Sequence, residues 1–343
     1  MDAALSLVRI AQEKTPARCI VRFPGLLRLA LTEKMRTDFQ QAAHRFPREI
    51  QFLEAEEVRQ RFSGAPEGVC GALIRDAAVV DTSAYVRNLW QVCEESGRVR
   101  WQREDVSNVS ALFEGGTKAD RGGMASNGAQ STSFDTVILC AGASIKAIRG
   151  FQNIPLTACR GQNLHLESAR PDATLGTPVI SGKYIVPEYF SGSSDAQDDE
   201  TVDRGVQRII AGATFEYKDS DQSETEFLEE SCKNDVVRAT SELDEPLHRL
   251  VPDLYDGWNI TGSSSGTRAL PPRSVEGSIP IACRVSGTRE DVSCWVFTGL
   301  GSRGLLHHAY LGRMLAHAVV AGNEGLIPGD ARRFPLEMGK SHD

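Results

Sequence analysis

The feature that most constrains this chain lies near its end, between Val292 and Gly322. An apolar run of strand character (Val292, Cys294, Val296, Phe297) leads into Gly299-Leu-Gly-Ser-Arg-Gly304. A long segment follows, with apolar residues at Leu305, Leu306, Ala309, Tyr310, Leu315, Val319 and Val320. That spacing gives a helix one apolar face. Strand, glycine turn and helix N-terminus together form a place where backbone N–H groups converge on an anion, and side chains at the glycines would block its approach. The ordinary dinucleotide unit does not follow. It needs a second strand ending in Asp or Glu about 20 residues further on, where this chain offers Asn323-Glu-Gly-Leu-Ile-Pro328 and a polar tail. The helix N-terminus must therefore serve a group held mainly by the rest of the protein. Arg303, a cation in the first turn, opposes the helix dipole by about 0.5 kcal/mol, so it either swings into solvent or has an anionic partner.

The 343 residues are enough for two domains and a large core. A net charge of -8 argues against broad, unspecific nucleic-acid binding. Eight cysteines are scattered without a C-x-x-C pair, which points to neither a zinc site nor a disulfide framework and fits a reducing compartment. No apolar run reaches membrane-spanning length, and Met1-Asp-Ala-Ala leads straight into an amphipathic helix ending near Lys14, with no targeting signal. An intracellular location, cytoplasmic or organellar, is expected. The abrupt helical start hints at something missing upstream.

Strands are expected at Cys19–Arg22, Gly25–Leu31 and Ile50–Leu53, and helices at 33–45 and 54–61. A strand and turn from Gly71 to Asp81 run into a helix at Ser83–Glu95, with cap chemistry at Asp81 to Ser83. Val109–Phe113 reads as a strand before a polar, glycine-rich hairpin loop at 114–129. Phe134–Ala143 reads as a buried parallel strand ending in small residues, as where a ligand crosses its carboxyl end. The middle changes character: Leu156–Glu167 alternates, Tyr184–Tyr189 and Gln207–Thr214 pair as a hairpin with an acidic tip at 191–203, and a helix lies within 224–243. The α/β character resumes at Trp258.

Gly262-Ser-Ser-Ser-Gly266 matches the serine-hydrolase elbow, but the elbow needs a helix immediately afterwards. The chain continues Thr267-Arg-Ala-Leu-Pro-Pro272 instead, which rejects that reading. His307 and His308 are adjacent in the first helical turn, point in different directions, and suit packing better than a metal.

Four stretches together resemble the FAD-dependent amino-acid oxidase family, which includes D-amino-acid, glycine and sarcosine oxidases and the oxidase half of a bacterial wobble-uridine tRNA-modifying enzyme. They are Asp135-Thr-Val-Ile-Leu-Cys-Ala-Gly-Ala-Ser144, Pro155-Leu-Thr-Ala-Cys-Arg-Gly-Gln162, Ile209-Ile-Ala-Gly-Ala-Thr-Phe-Glu216, and Gly266–Pro280 continued by Phe297–Gly304. Their order and spacing agree over roughly residues 20 to 335. The resemblance implies an α/β (α+β two-domain) fold. A Rossmann-like FAD-binding domain, N-terminally truncated (1–20, 71–150 and 257–335), would be interrupted by an antiparallel substrate domain (21–70 and 151–256), with a tail at 336–343.

By position, Val106 would lie at the adenine side and Ala141, Gly142 and Ala143 at the ADP portion. Gly299, Leu300, Gly301, Ser302, Arg303 and Gly304 would surround the isoalloxazine of a non-covalent FAD. Arg268 matches the arginine that holds a substrate carboxylate, and Arg303 a second candidate beside the substrate. The implied reaction is oxidation of the C–N bond of an amino acid or secondary amine by hydride transfer to flavin. Oxygen would be the acceptor and hydrogen peroxide a product. A modified tRNA base is the alternative substrate. One departure stands out: the strand–G-x-G-x-x-G–helix with which the family begins has no counterpart in Met1–Arg22 or later. A fragment is the favoured explanation, and an FAD-free binding protein is the alternative.

Overall fold

The structure, a computed structural model, describes residues 2–16, 19–113, 134–169, 175–188, 207–275, 277–287, 292–334 and 336–337. The fold is built around one long strand pair: Thr157–Ser168 and Trp258–Leu270 run antiparallel along their whole length. Along the other edge of Thr157–Ser168 lie Arg208–Gly212 and Glu216–Tyr217. The sheet continues through Lys183–Pro187, Val179–Ser181, Leu26–Leu29, Gly71–Ile74 and Ile50–Leu53, giving nine strands.

Alternation gives the sheet two unlike faces. Leu164 and Leu166 turn into a core shared with Ile185, Ile209 and the Val236–Leu250 helix. That helix presents Ala239, Leu243, Leu247 and Leu250 at intervals of three or four residues, one continuous apolar face. Each buried leucine contributes about 1.5–3 kcal/mol. Toward the other end of the strand the same face carries a buried polar network. Glu216 accepts from Arg160 Nη1 at 3.1 Å, from Gln162 Nε2 at 2.9 Å and from the Thr214 hydroxyl at 2.9 Å, and Arg238 reaches it from the helix. The opposite face carries Cys159, Gly161, Asn163 and His165, partnered across the strand pair by Arg268, Gly266, Ser264 and Gly262.

A β-bulge sets this alignment. Ile260 pairs with Leu166 on the core face, but the next pair is Gly262 with His165, so Thr261 is an extra residue. Side chains alternate with period two, and one inserted residue moves every later side chain to the other face. Without the bulge, Arg268 would share the core face with Ile260.

A second sheet runs in the order Leu336–Glu337, Ile281–Ser286, Ser293–Thr298, Thr136–Leu139, the last two parallel. The Gly304–Ala321 helix covers it, packing Leu311, Leu315 and Ala318 on Ala282 and Trp295. Against this helix lie the helices Asp2–Glu13 and Thr82–Glu95, the latter capped by Asp81, whose side chain accepts from Ala84 N at 2.9 Å. His308 adds a cross-link, Nε2 to Tyr85 Oη at 2.7 Å, so it packs as the sequence indicates.

The structure departs from the sequence reading at several places. Ser110–Phe113 is a short helix, not a strand, because the Asn108 side chain accepts from Ser110 N at 3.1 Å and offers the backbone a local turn. The hairpin loop at 114–129 and the acidic tip at 191–203 lie outside the described residues. The helical stretch after 224 is two helices, Glu224–Ser231 and Val236–Leu250. Asp235 breaks it: its side chain caps Arg238 N and its own N–H is held by Gln162 Oε1 at 2.7 Å.

Thr136–Leu139 is parallel as expected but not buried throughout. Among the described residues it pairs only with Ser293–Thr298, and Ile138 is 43% exposed. The sequence reading also places 71–74 and 258–270 on the nucleotide-binding side. Hydrogen bonding puts both in the nine-stranded sheet, because strand pairing joins segments far apart in the chain, which local pattern does not register. Of the tail, Leu336–Glu337 pairs parallel with Ile281–Ser286.

Candidate functional site

The parallel pair Thr136–Leu139 and Ser293–Thr298 ends at one edge, where two glycine turns meet. After Leu139 come Ala141, Gly142 and the buried Ala143, opening a short 3-10 helix at Gly142–Ala147. After Thr298 come Gly299, Leu300 and the turn Gly301–Arg303, which delivers the chain into the Gly304–Ala321 helix. The two turns are tied together, since Thr298 Oγ1 donates to the Gly142 carbonyl at 3.0 Å. Gly299 requires glycine on two counts: its φ is 71°, and a Cβ would sit 3.2 Å from Leu156 Cδ2 and from Pro271 Cβ. Gly301 shares the left-handed backbone, at φ 55°. The result is a crevice at the carboxyl end of parallel strands, faced by the N–H groups of a helix N-terminus, an arrangement suited to an anionic ligand.

The sequence-predicted residues fall here unevenly. Ala141, Gly142, Ala143, Gly299, Leu300, Gly301, Ser302 and Gly304 belong to the two turns. Arg303 occupies the helix N-cap position and is exposed, with no ion pair among the described residues. Val106 lies in an exposed irregular segment. Its neighbour Ser107 accepts from Arg149 N at 2.8 Å, just beyond the 3-10 helix.

Arg268 lies on the open face of the large sheet, on the strand that leads to this crevice. A Cβ at Gly301 would touch Leu270 Cδ2 at 3.6 Å and Pro271 Cδ at 3.8 Å, so the glycine turn rests on the residues just past Arg268. The guanidinium spreads over Gly161, where any Cβ would overlap it. Its Nη1 is buried without a hydrogen-bond partner, and no carboxylate pairs with it among the described residues. The Arg268 Cζ stands 5.1 Å from the centre of the Phe215 ring.

Sequence reasoning missed the groups around it. Tyr184 donates to Asn163 Oδ1 at 2.7 Å, and a Cβ at Gly212 would overlap that same oxygen. His165 Nε2 and Ser264 Oγ are 2.9 Å apart. Lys183 donates to the Ala213 carbonyl at 2.6 Å and stands 5.1 Å from the Phe215 ring centre. Burial holds the Tyr184 phenol above its ordinary range, with Arg268 and the Asn163 hydrogen bond pulling the other way. Burial lowers Lys183 below the ordinary lysine range, Glu242 opposes this, and Arg268 adds to it. The signal available in the sequence was the row of small residues at 161, 212, 262 and 266, which marks a face that nothing large covers. Cys283 and Cys294, between the two crevice strands and their core, are pushed up to about 12 by burial and act as inert packing.

Fold and crevice define an architecture suited to a nucleotide cofactor. A match over residues 1–318 to the family described as DAO, FAD dependent oxidoreductase, identifies it: the chain belongs to the FAD-dependent oxidoreductase family, whose cofactor is FAD. Solved structures agree in fold. Glycine oxidase from Geobacillus kaustophilus aligns at 18% identity over 96% of this chain and 80% of that one, with a TM-score of 0.67. Iminodiacetate oxidase from Chelativorans sp. BNC1 aligns at 22% identity over 99% and 84%, TM-score 0.68. L-proline dehydrogenase from P. horikoshii aligns at 15% identity over 94% and 79%, TM-score 0.63. No curated protein matches the chain. Among the described residues no helix is long and apolar enough to cross a membrane.

The chemistry of the crevice fits an anionic or electron-rich portion of FAD. The turns at Gly299 and Gly301 close tightly against Leu156, Leu270 and Pro271, and the helix N-terminus supplies donors toward an electron-rich group.

Proposed function

We propose that this protein oxidises the C–N bond of a small amine carrying a carboxylate, an amino acid or secondary amine, with oxygen as acceptor and hydrogen peroxide as product. One observation carries the reading. Arg268 is a cation with a buried, unpartnered N–H, beside the glycine crevice, and no protein acid neutralises it among the described residues. A guanidinium in that state is matched by a planar carboxylate that accepts two hydrogen bonds. The glycine, iminodiacetate and proline named in the related structures are small carboxylated amines, which supports the same class. They lend nothing to the tRNA alternative.

FAD bound in the crevice would supply the hydride acceptor. The chain's own residues do the rest. Arg268 holds the carboxylate, Phe215 covers that pair from one side and limits water, and Gly161 and Gly212 leave room for the Arg268 and Asn163 side chains. The Tyr184–Asn163 hydrogen bond fixes the wall opposite. No side chain is required as a strong base, since an amine bound neutral needs only orientation before its hydride leaves. We also propose the division into a nucleotide-binding and a substrate-binding domain, with the seam between Arg268 and Gly299.

The test is the visible spectrum of the purified chain before and after adding FAD. A flavin spectrum that bleaches anaerobically with an amino acid or secondary amine supports the proposal. A chain that stays colourless overturns it: this polypeptide is then not itself an oxidase.

A further inference from the structure

Beside Phe215 stands a second cation that the reaction does not use. Lys183 and Arg268 both stand 5.1 Å from the Phe215 ring centre, so they are no more than twice that distance apart. Lys183 spends one of three donors on the Ala213 carbonyl. Neither cation has an ion pair among the described residues. The nearby acid, Glu242, comes from the core-side helix, and its carboxylate accepts Phe215 N–H at 3.0 Å. Two like charges beside one ring repel, and both are partly desolvated, an arrangement that costs free energy unless an anion completes it. A single carboxylate on Arg268 leaves Lys183 with only the more distant influence of Glu242.

We infer that the substrate carries two carboxylates, one held by Arg268 and the other by Lys183, with Phe215 between the two cations. This rests on the amine-oxidase reading for the reacting centre but not for the binding. A dicarboxylic amine neutralises both cations, whereas a neutral side chain leaves the partly buried Lys183 charge without a ligand anion. Lys183 is thus a specificity-determining residue. Its depressed pKa adds a signature. The ammonium form predominates below that pKa, so preference for a second carboxylate is lost as pH rises through it, at a lower pH than for an ordinary lysine. Arg268 and Glu242 are the charged groups that act on it, and both appear among the causes of the shift.

The test measures binding to the full chain by calorimetry, using iminodiacetate and N-methylglycine, which differ by one carboxylate. Wild type is expected to favour iminodiacetate by about tenfold or more, the range for a close charge pair. Lys183→Gln keeps a donor for the Ala213 carbonyl and is expected to bring the ratio near one. Lys183→Arg is expected to retain most of it. Circular dichroism and melting of each variant establish that it is folded. Equal binding of the two ligands by wild type, or a ratio unchanged in folded Lys183→Gln, overturns the inference. Failure of the oxidase reading looks different: iminodiacetate is bound with the expected preference, yet no amine bleaches the flavin.

Discussion

At the scale of single residues, the two faces of the Thr157–Ser168 strand make different demands. On the open face the space above Gly161 is filled by the Arg268 guanidinium, so Gly161→Ala must displace it. That substitution is expected to weaken binding of a monocarboxylate about tenfold, the cost of losing a good charged hydrogen bond, while the melting temperature moves little. Titration calorimetry and a thermal melt read the two quantities separately. On the opposite face Glu216 holds Arg160 and Arg238, and removing it leaves a buried guanidinium without a counter-charge. Glu216→Ala is expected to cost about 3–5 kcal/mol in a urea titration. Sequence reading reached Arg268 and the flavin-side glycines through motif. It missed Lys183, Tyr184 and Phe215, because strand neighbours across a sheet are distant in the chain and carry no local spacing.

Among the elements, the Val236–Leu250 helix anchors the large sheet through one face only. Leu247 is fully buried and Val237 is 81% exposed. Leu247→Ala is expected to destabilise by about 2–5 kcal/mol, and Val237→Ala to change stability by less than about 0.5 kcal/mol. Chemical denaturation of both variants checks the contrast. Helices with strong caps and clean periodicity were legible in the sequence, as at Thr82–Glu95 under Asp81 and at Glu33–Arg45 under Thr32. The Asp235 break was not, since it depends on Gln162 reaching across from another strand. Nor was Trp258–Leu270, whose small polar residues give no apolar pattern and which is a strand only because Thr157–Ser168 lies alongside.

For the whole molecule, the crevice joins segments more than 150 residues apart through the Thr298–Gly142 hydrogen bond. Gly299→Ala combines left-handed backbone strain with crowding against Leu156 and Pro271, and it is expected to lower the flavin-to-protein absorbance ratio of the purified chain. Full flavin content in that variant would sink the assignment of the crevice. The bulge at Thr261 has a consequence of another kind. The chain reads its own length here in steps of two: paired insertions in the long strands preserve which chemistry faces outward, and odd ones exchange it. Over evolutionary time these strands can accept many substitutions and almost no single-residue insertions or deletions. Removing the extra residue at Thr261 would turn Arg268 inward, although the threonine side chain itself only meets the His165 carbonyl.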